Sequence, residues 1–282
     1  MTGKTLSRIK ALIVVSTLAL VGCSKGTPAP DDAPVDSQSS KLDPRLHQPF
    51  TLATVSDLPD MIPPERTLTG KSVGKLYEQV VKMWDQVPLM SPHGKPLAYT
   101  AILETELGLI EIELWGELAP NHVRNFVALA KVGYYDGLVF ERIIHQQADN
   151  DPSAKLEMIE GGCPAGNGGP NLGSIGYWLQ PEFNDKVRHE EGTIGACRGE
   201  QPESAACRFY ITLTKAPVLD GERTVFGKVK RGLDVARRIC SQPLLNAPEY
   251  PDPTRPEKPI VIRKVTIQVK EVENRLVSNN NN

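Results

Sequence analysis

The chain lacks most of the features that would announce a familiar chemistry. Its net charge is only −2 over 282 residues, and no long basic block occurs, so nucleic acid is not an expected partner. Beyond the N-terminus no apolar run approaches the length of a membrane helix. No C-x-x-C pair occurs and no histidine spacing suits zinc, so no metal site is expected. The glycines at 166 and 168 do not complete a dinucleotide fingerprint, because Asn171 stands at the third position, and no G-K-[ST] follows. His189-Glu190-Glu191 lacks the second histidine of a zinc protease, and no G-x-S-x-G elbow is present. Nucleotide-dependent and hydrolytic chemistry are left without their parts. No period of twenty to fifty residues repeats.

The N-terminus is better furnished. Lys4, Arg8 and Lys10 precede the apolar stretch Ala11 to Leu20, the layout of an export signal. Leu20-Val21-Gly22-Cys23 resembles a bacterial lipobox, in which the cysteine is lipidated and the chain is cut just before it. Residues 1–22 are therefore expected to be a lipoprotein signal peptide, with a membrane anchor at Cys23. Ser24 replaces the aspartate of inner-membrane retention, which favours the outer membrane in a host with two. Lipidation of Cys23 leaves Cys163, Cys197, Cys207 and Cys240, in a compartment where disulfides can persist. Three full pairings and four packed thiols remain open, with Cys197–Cys207 a candidate pair if their strands are neighbours.

Residues 23–69 are rich in Pro, Asp and Ser and read as a tether with too little apolar surface to fold alone. Residues 70–97 hold a helix and a connector: Val73, Leu76, Tyr77, Val80, Val81 and Trp84 recur at helical spacing, and Pro88 stops them. That stripe is expected to pack on the domain that follows. Residues 98–270 form that domain. Tyr99 to Glu106 and Leu109 to Leu114 flank a Leu107-Gly108 turn, as in a hairpin. Ala119-Pro120 opens a helix, and a second helix covers Leu233 to Cys240. Further strands are expected at Leu138 to Ile144, Lys155 to Glu160, Gly192 to Cys197, Phe209 to Leu213, Thr224 to Val229 and Ile260 to Val269. Between them Gly161 to Gly176 reads as a glycine-rich loop. Many short strands with glycine turns point to a barrel or a sandwich, and the pattern alone does not choose. Residues 271–282 read as a disordered polar tail.

Eight pieces, in order, carry a resemblance. They are Ala119-Pro120-Asn121-His122-Val123-Arg124-Asn125-Phe126, Tyr134-Tyr135-Asp136-Gly137, Phe140-Glu141-Arg142-Ile143-Ile144, Met158-Ile159-Glu160-Gly161-Gly162, Gly192 to Arg198, Ser204 to Ile211, Leu219-Asp220-Gly221 and Val225-Phe226-Gly227. Together they are similar to a complete cyclophilin domain, from about Ala98 to Val269. The resemblance implies a mostly β fold: a closed eight-stranded antiparallel β-barrel capped by two α-helices, here with an extra N-terminal helix. It implies cis–trans isomerisation of X–Pro bonds without a cofactor, and proline-containing polypeptides as clients. The chain is expected to act as a monomer. The barrier to this reaction is amide resonance, and a guanidinium that hydrogen-bonds the prolyl nitrogen lowers it as the amide twists.

By this resemblance Arg142 is the catalytic arginine; read alone it would equally suit a salt bridge on an edge strand. The residues expected to bind substrate are Met158, Glu160, Cys197, Arg198, Arg208, Phe209, Tyr210, Leu219 and Arg223. Several depart from the family pattern. Glu160 and Arg208 replace glutamines and are expected to pair with each other, while Glu160 either pins Arg142 or partly quenches it. Cys197 and Arg198 replace the alanine and asparagine that grip the substrate backbone. Arg223 replaces the pocket histidine, Glu157 a pocket phenylalanine, and Val218 the tryptophan tied to cyclosporin affinity. An insertion at about 145–154 is expected at the rim. The principal reading is an isomerase assisting exported chains at the cell envelope. The alternative is a low-activity module that binds proline-containing segments. What separates them is whether Arg142 escapes the grip of Glu160.

Overall fold

A computed structural model of the chain describes residues 63–148, 151–168, 173–245 and 254–272. The signal sequence, Cys23 and most of the tether lie outside these residues. The barrel strands are β1 (Leu97–Thr105), β2 (Gly108–Leu114), β3 (Val139–Ala148), β4 (Asp151–Gly161), β5 (Thr193–Ala196), β6 (Phe209–Thr212), β7 (Val225–Arg231) and β8 (Ile260–Glu271). They close in the order β1-β2-β7-β5-β6-β4-β3-β8, and every neighbouring pair is antiparallel. This settles barrel over sandwich.

Period-2 alternation explains why these segments form a barrel wall. Tyr99, Ala101, Leu103 and Thr105 of β1 are buried, as are Ile110, Ile112 and Leu114 of β2, while the residues between them are more exposed. Three helices accompany the barrel: α1 (Val73–Trp84), α2 (Pro120–Lys131) and α3 (Leu233–Cys240). The apolar stripe of α1 joins the core through Val73, Leu76, Val80 and Trp84, and the helix packs on α2. Helix α2 packs on β7 and β8, and α3 on β2, β3 and β4. Phe126 of α2 meets Tyr135, Phe209 and Phe226 at ring-centroid distances of 4.9, 5.6 and 5.7 Å.

The N-terminus of α2 is closed from a distant segment. Glu182 accepts hydrogen bonds from the backbone N–H groups of Asn121 and His122, at 3.1 and 3.0 Å. A buried carboxylate at this end satisfies donors that the helix itself cannot and meets the positive end of its dipole. His122 Nδ1 lies 2.7 Å from the same carboxylate, and its buried Nε2 has no partner. The tautomer that donates from Nδ1 fits both facts.

Two expected bounds need correction, and the insertion at about 145–154 takes a definite form: residues 139–148 and 151–161 extend β3 and β4 into one long hairpin. The tether ends earlier than residue 69. Thr67 is buried and Leu68 donates its N–H to the Pro164 carbonyl, so this stretch is anchored to the barrel domain. The tail begins later than residue 271, since Glu271 still pairs with Leu97. Among the described residues no disulfide joins the four cysteines. Cys197 and Cys207 do lie on adjacent chain segments, but Cys197 bonds across to Arg208. The one-residue offset sends the two thiols to opposite faces of the barrel wall. No helix among the described residues is long and apolar enough to cross a membrane.

Candidate active site

Register assembles the site as a row across four strands. Arg142 of β3 pairs with Glu160 of β4, Glu160 with Tyr210 of β6, and Tyr210 with Gly195 of β5. Directly paired residues share a face, so this row lies on the outside of the barrel. The next row, Phe140, Gly161, Phe209 and Ala196, faces inward. Phe209 is therefore corrected from a substrate contact to a core residue. It is 1% exposed and meets Phe140 edge-on at 6.1 Å, behind Tyr210. Met158, two residues from Glu160 on β4, shares the outer face and is half-buried.

The strands are bulged at this point. Register shifts between Phe140 and Arg142, leaving Glu141 as the extra residue. The bulge turns Glu141 and Arg142 toward the same loop: a Cβ on Gly168 would lie 2.6 Å from Arg142 Cγ and 3.0 Å from Glu141 Cγ. Gly168 also has φ +64°, so the site needs glycine there on two counts. The glycine-rich segment thus covers charged stems rather than a phosphate.

Four charged side chains meet under that loop. Arg142 donates from Nη1 to Glu160 Oε2 at 3.2 Å and from Nε to Thr254 Oγ1 at 3.2 Å. Its Nη2 has no hydrogen bond among the described residues. Arg208 donates from Nη2 to the same Glu160 oxygen at 2.5 Å, and from Nε to Glu141 Oε1 at 3.0 Å. Glu141 Oε2 accepts the Cys163 N–H at 3.3 Å. The pairing of Glu160 with Arg208 is as expected. Neither Glu141 nor Thr254 figured among the expected site residues. Burial raises the Glu141 carboxyl to about 7, against the pull of Arg208 toward ionisation. Burial alone would favour loss of the Arg208 proton, but the Glu141 and Glu160 carboxylates outweigh it and hold the guanidinium more firmly protonated.

Arg142 does not escape Glu160, but the contact is a single bond rather than a two-pronged fork. Its side chain keeps 29% exposure, whereas Glu160 and Arg208 each keep 8%.

A second assembly, with one carboxylate, supports Tyr210. Its ring lies over Gly195, where a methyl group would overlap the phenol. Tyr210 Oη is 2.7 Å from His189 Nε2, and His189 Nδ1 is 2.7 Å from Asp220 Oδ1, which also accepts the His189 backbone N–H at 2.8 Å. The consistent proton arrangement has Tyr210 donating to Nε2 and Nδ1–H donating to Asp220. Burial lowers the His189 pKa, and Asp220 opposes it. Burial would raise the Asp220 carboxyl; its bonds from His189 outweigh this and hold it below the usual range. His189 and Asp220 were also missed as site residues. Leu219, half-buried beside Asp220, is carried on the short 3-10 turn Pro217–Leu219, and its neighbour Val218 is 72% exposed.

The remaining expected residues frame this face. Cys197 is buried, and burial pushes its thiol well above the ordinary range. Arg198 donates to the backbone carbonyls of Gly199, Glu200 and Glu222 and to the Glu222 carboxylate, so it ties the loops together. Arg223 donates from Nη1 to the Arg198 carbonyl at 3.0 Å. Glu157 points to Lys155 and His145, at 3.1 and 3.8 Å, on the extended hairpin.

Comparison with known proteins agrees with this architecture. The family model described as cyclophilin type peptidyl-prolyl cis-trans isomerase/CLD matches residues 100–267, more than half of the chain. The chain belongs to the cyclophilin-type peptidyl-prolyl cis-trans isomerase family. It is 39% identical over 138 residues to peptidyl-prolyl cis-trans isomerase-like 1 of Rhizopus delemar, which covers 49% of this chain and 78% of that protein. Over 150 residues it is 33% identical to the Arabidopsis thaliana peptidyl-prolyl cis-trans isomerase CYP18-2, covering 53% of this chain and 84% of the relative. A crystal structure of a Cryptosporidium parvum cyclophilin type isomerase shares the fold, with a TM-score of 0.50 and 23% identity over 61% of this chain and 98% of the other.

Proposed function

We propose that this chain catalyses cis–trans isomerisation of X–Pro bonds in exported polypeptides, using Arg142 as the catalytic residue, and works as a monomer held at the cell envelope by a lipid on Cys23. The observation that carries the isomerase reading is Nη2 of Arg142, which has no hydrogen bond among the described residues, at one end of an outward-facing row that continues to Tyr210. A guanidinium donor directed at the prolyl nitrogen stabilises the twisted amide, in which the nitrogen lone pair is no longer delocalised. Met158 and Leu219, both half-buried, supply apolar surface for the proline ring, whereas Tyr210 is only 2% exposed. Arg208 and Glu160 are turned toward each other and are not available to grip a peptide backbone as glutamines would, so client binding rests more on apolar contact.

Family membership supports the activity. The basic start, the short apolar stretch and Leu20-Val21-Gly22-Cys23 support the anchor, with residues 23 to about 64 as tether. Outer-membrane placement, in a host with two membranes, rests on Ser24.

The test is a protease-coupled isomerisation assay on the full chain, purified in detergent, with short X–Pro peptides. Acceleration over the uncatalysed rate is expected. Binding of the peptides with no acceleration would replace the enzyme with the proline-binding module. For the anchor, Cys23→Ser is expected to move the protein from the membrane to the soluble fraction; unchanged fractionation would refute the lipid at Cys23.

A further inference from the structure

Two guanidiniums address one atom. Arg142 Nη1 and Arg208 Nη2 both donate to Glu160 Oε2, at 3.2 and 2.5 Å, while Glu160 Oε1 has no hydrogen bond among the described residues. A carboxylate beside a single guanidinium favours the two-pronged fork, which would occupy a second nitrogen of Arg142. Glu160 and Arg142 are direct cross-strand partners beside the bulge. Arg208 competes for the same carboxylate. It holds the shared oxygen more closely and is fixed on its other side by Glu141 Oε1 at 3.0 Å. Its stem is backed by Gly173, where a Cβ would lie 3.1 Å from Arg208 Cδ.

We propose that Arg208 is a positioning residue for the isomerisation: it shares the charge of Glu160 so that Nη2 of Arg142 stays available to the prolyl nitrogen. This rests on the isomerase reading above. It links two departures from the family pattern. A glutamate at 160 would alone disable Arg142. An arginine at 208 relieves it, and Glu141 holds that arginine from its other side.

The experiment compares kcat and KM for an X–Pro peptide in the full chain and in Arg208→Gln, Glu160→Gln and the double variant. In Arg208→Gln, kcat is expected to fall roughly tenfold with KM nearly unchanged, because Glu160 then closes on Arg142. Adding Glu160→Gln should bring kcat back to within about threefold of wild type, a coupling that general loosening of the fold would not produce. An Arg208→Gln rate within about twofold of wild type, or a double variant as slow as Arg208→Gln, overturns the proposal. If Arg208→Gln fails to fold because Glu141 loses its cation, the same comparison is made between Glu141→Gln/Arg208→Gln and the variant that adds Glu160→Gln to it. An inactive wild type defeats the isomerase reading and this proposal with it; an active wild type without the rescue defeats the positioning role alone.

Discussion

Two polar assemblies stand side by side on the outer face of the barrel, and they are built on opposite principles. Around Arg142 two guanidiniums and two carboxylates are packed under a glycine-rich loop, with one carboxylate oxygen shared between both cations. Behind Tyr210 a phenol, an imidazole and a carboxylate form a linear chain of hydrogen bonds that ends on Asp220, which also accepts the His189 backbone N–H. In the first assembly every member depends on the charge of the others, because an ion left alone in the interior is expensive. In the second the costs are those of ordinary hydrogen bonds. The difference places the adjustable part of the site at Arg142 and the fixed part at Tyr210.

The comparison breaks most readily at Arg208. Arg208→Leu leaves Glu141 without a cation and Glu160 with Arg142 alone, and is expected to cost about 3–5 kcal/mol of stability in urea unfolding. A loss below about 1 kcal/mol would mean that the cluster does not depend on its pairing. In the Tyr210 assembly the largest effect is expected from Gly195→Ala. Its methyl collides with the Tyr210 ring, for about 1–3 kcal/mol and a displaced aromatic. An unchanged unfolding midpoint would show that the ring can move at no cost. Tyr210→Phe deletes only the hydroxyl and leaves His189 Nε2 without its donor, for about 1 kcal/mol. A loss as large as that of Arg208→Leu would erase the distinction between the two assemblies.

The two assemblies also separate by pH. The Glu141 carboxyl is raised from its ordinary value of 4.5 to about 7, so between those values the folded chain holds a proton that the unfolded chain releases. The stability contributed by that proton is complete below about 4.5 and is lost as pH rises through about 7. Wild type should therefore lose stability relative to Glu141→Gln across this window and run parallel to it outside. Stability curves that stay parallel throughout would assign the pH response to other groups.

Much of the frame was legible in the sequence. The Leu107-Gly108 turn marked the first hairpin, helical spacing marked α1, and the expected helix at Leu233 to Cys240 has the bounds of α3. The ordered motifs carried barrel closure, which no local pattern could supply. Inside the site, legibility followed range. Glu160 with Arg208 could be anticipated because both replace glutamines in motifs known to meet. Glu141 could not, since its role depends on a bulge that moves it to the outer face and on a partner 67 residues away. The inward turn of Phe209 was hidden because Phe209, Tyr210 and Ile211 are all buried, so no polar alternation marks which faces in. His189 was weighed only as a zinc ligand; its partners Asp220 and Tyr210 are distant in sequence and adjacent only in the closed barrel. The hairpin extension at 145–157 is polar, and polar residues do not distinguish a protruding strand from a loop.

The central claim is that Arg142 donates to the prolyl nitrogen, and kcat/KM of Arg142→Ala on an X–Pro peptide tests it most directly. Loss of one preorganised donor should cost about 3 kcal/mol, on the order of a hundredfold in rate, with the unfolding midpoint close to that of wild type. An Arg142→Ala protein that is folded and isomerises the peptide at the wild-type rate would contradict the account.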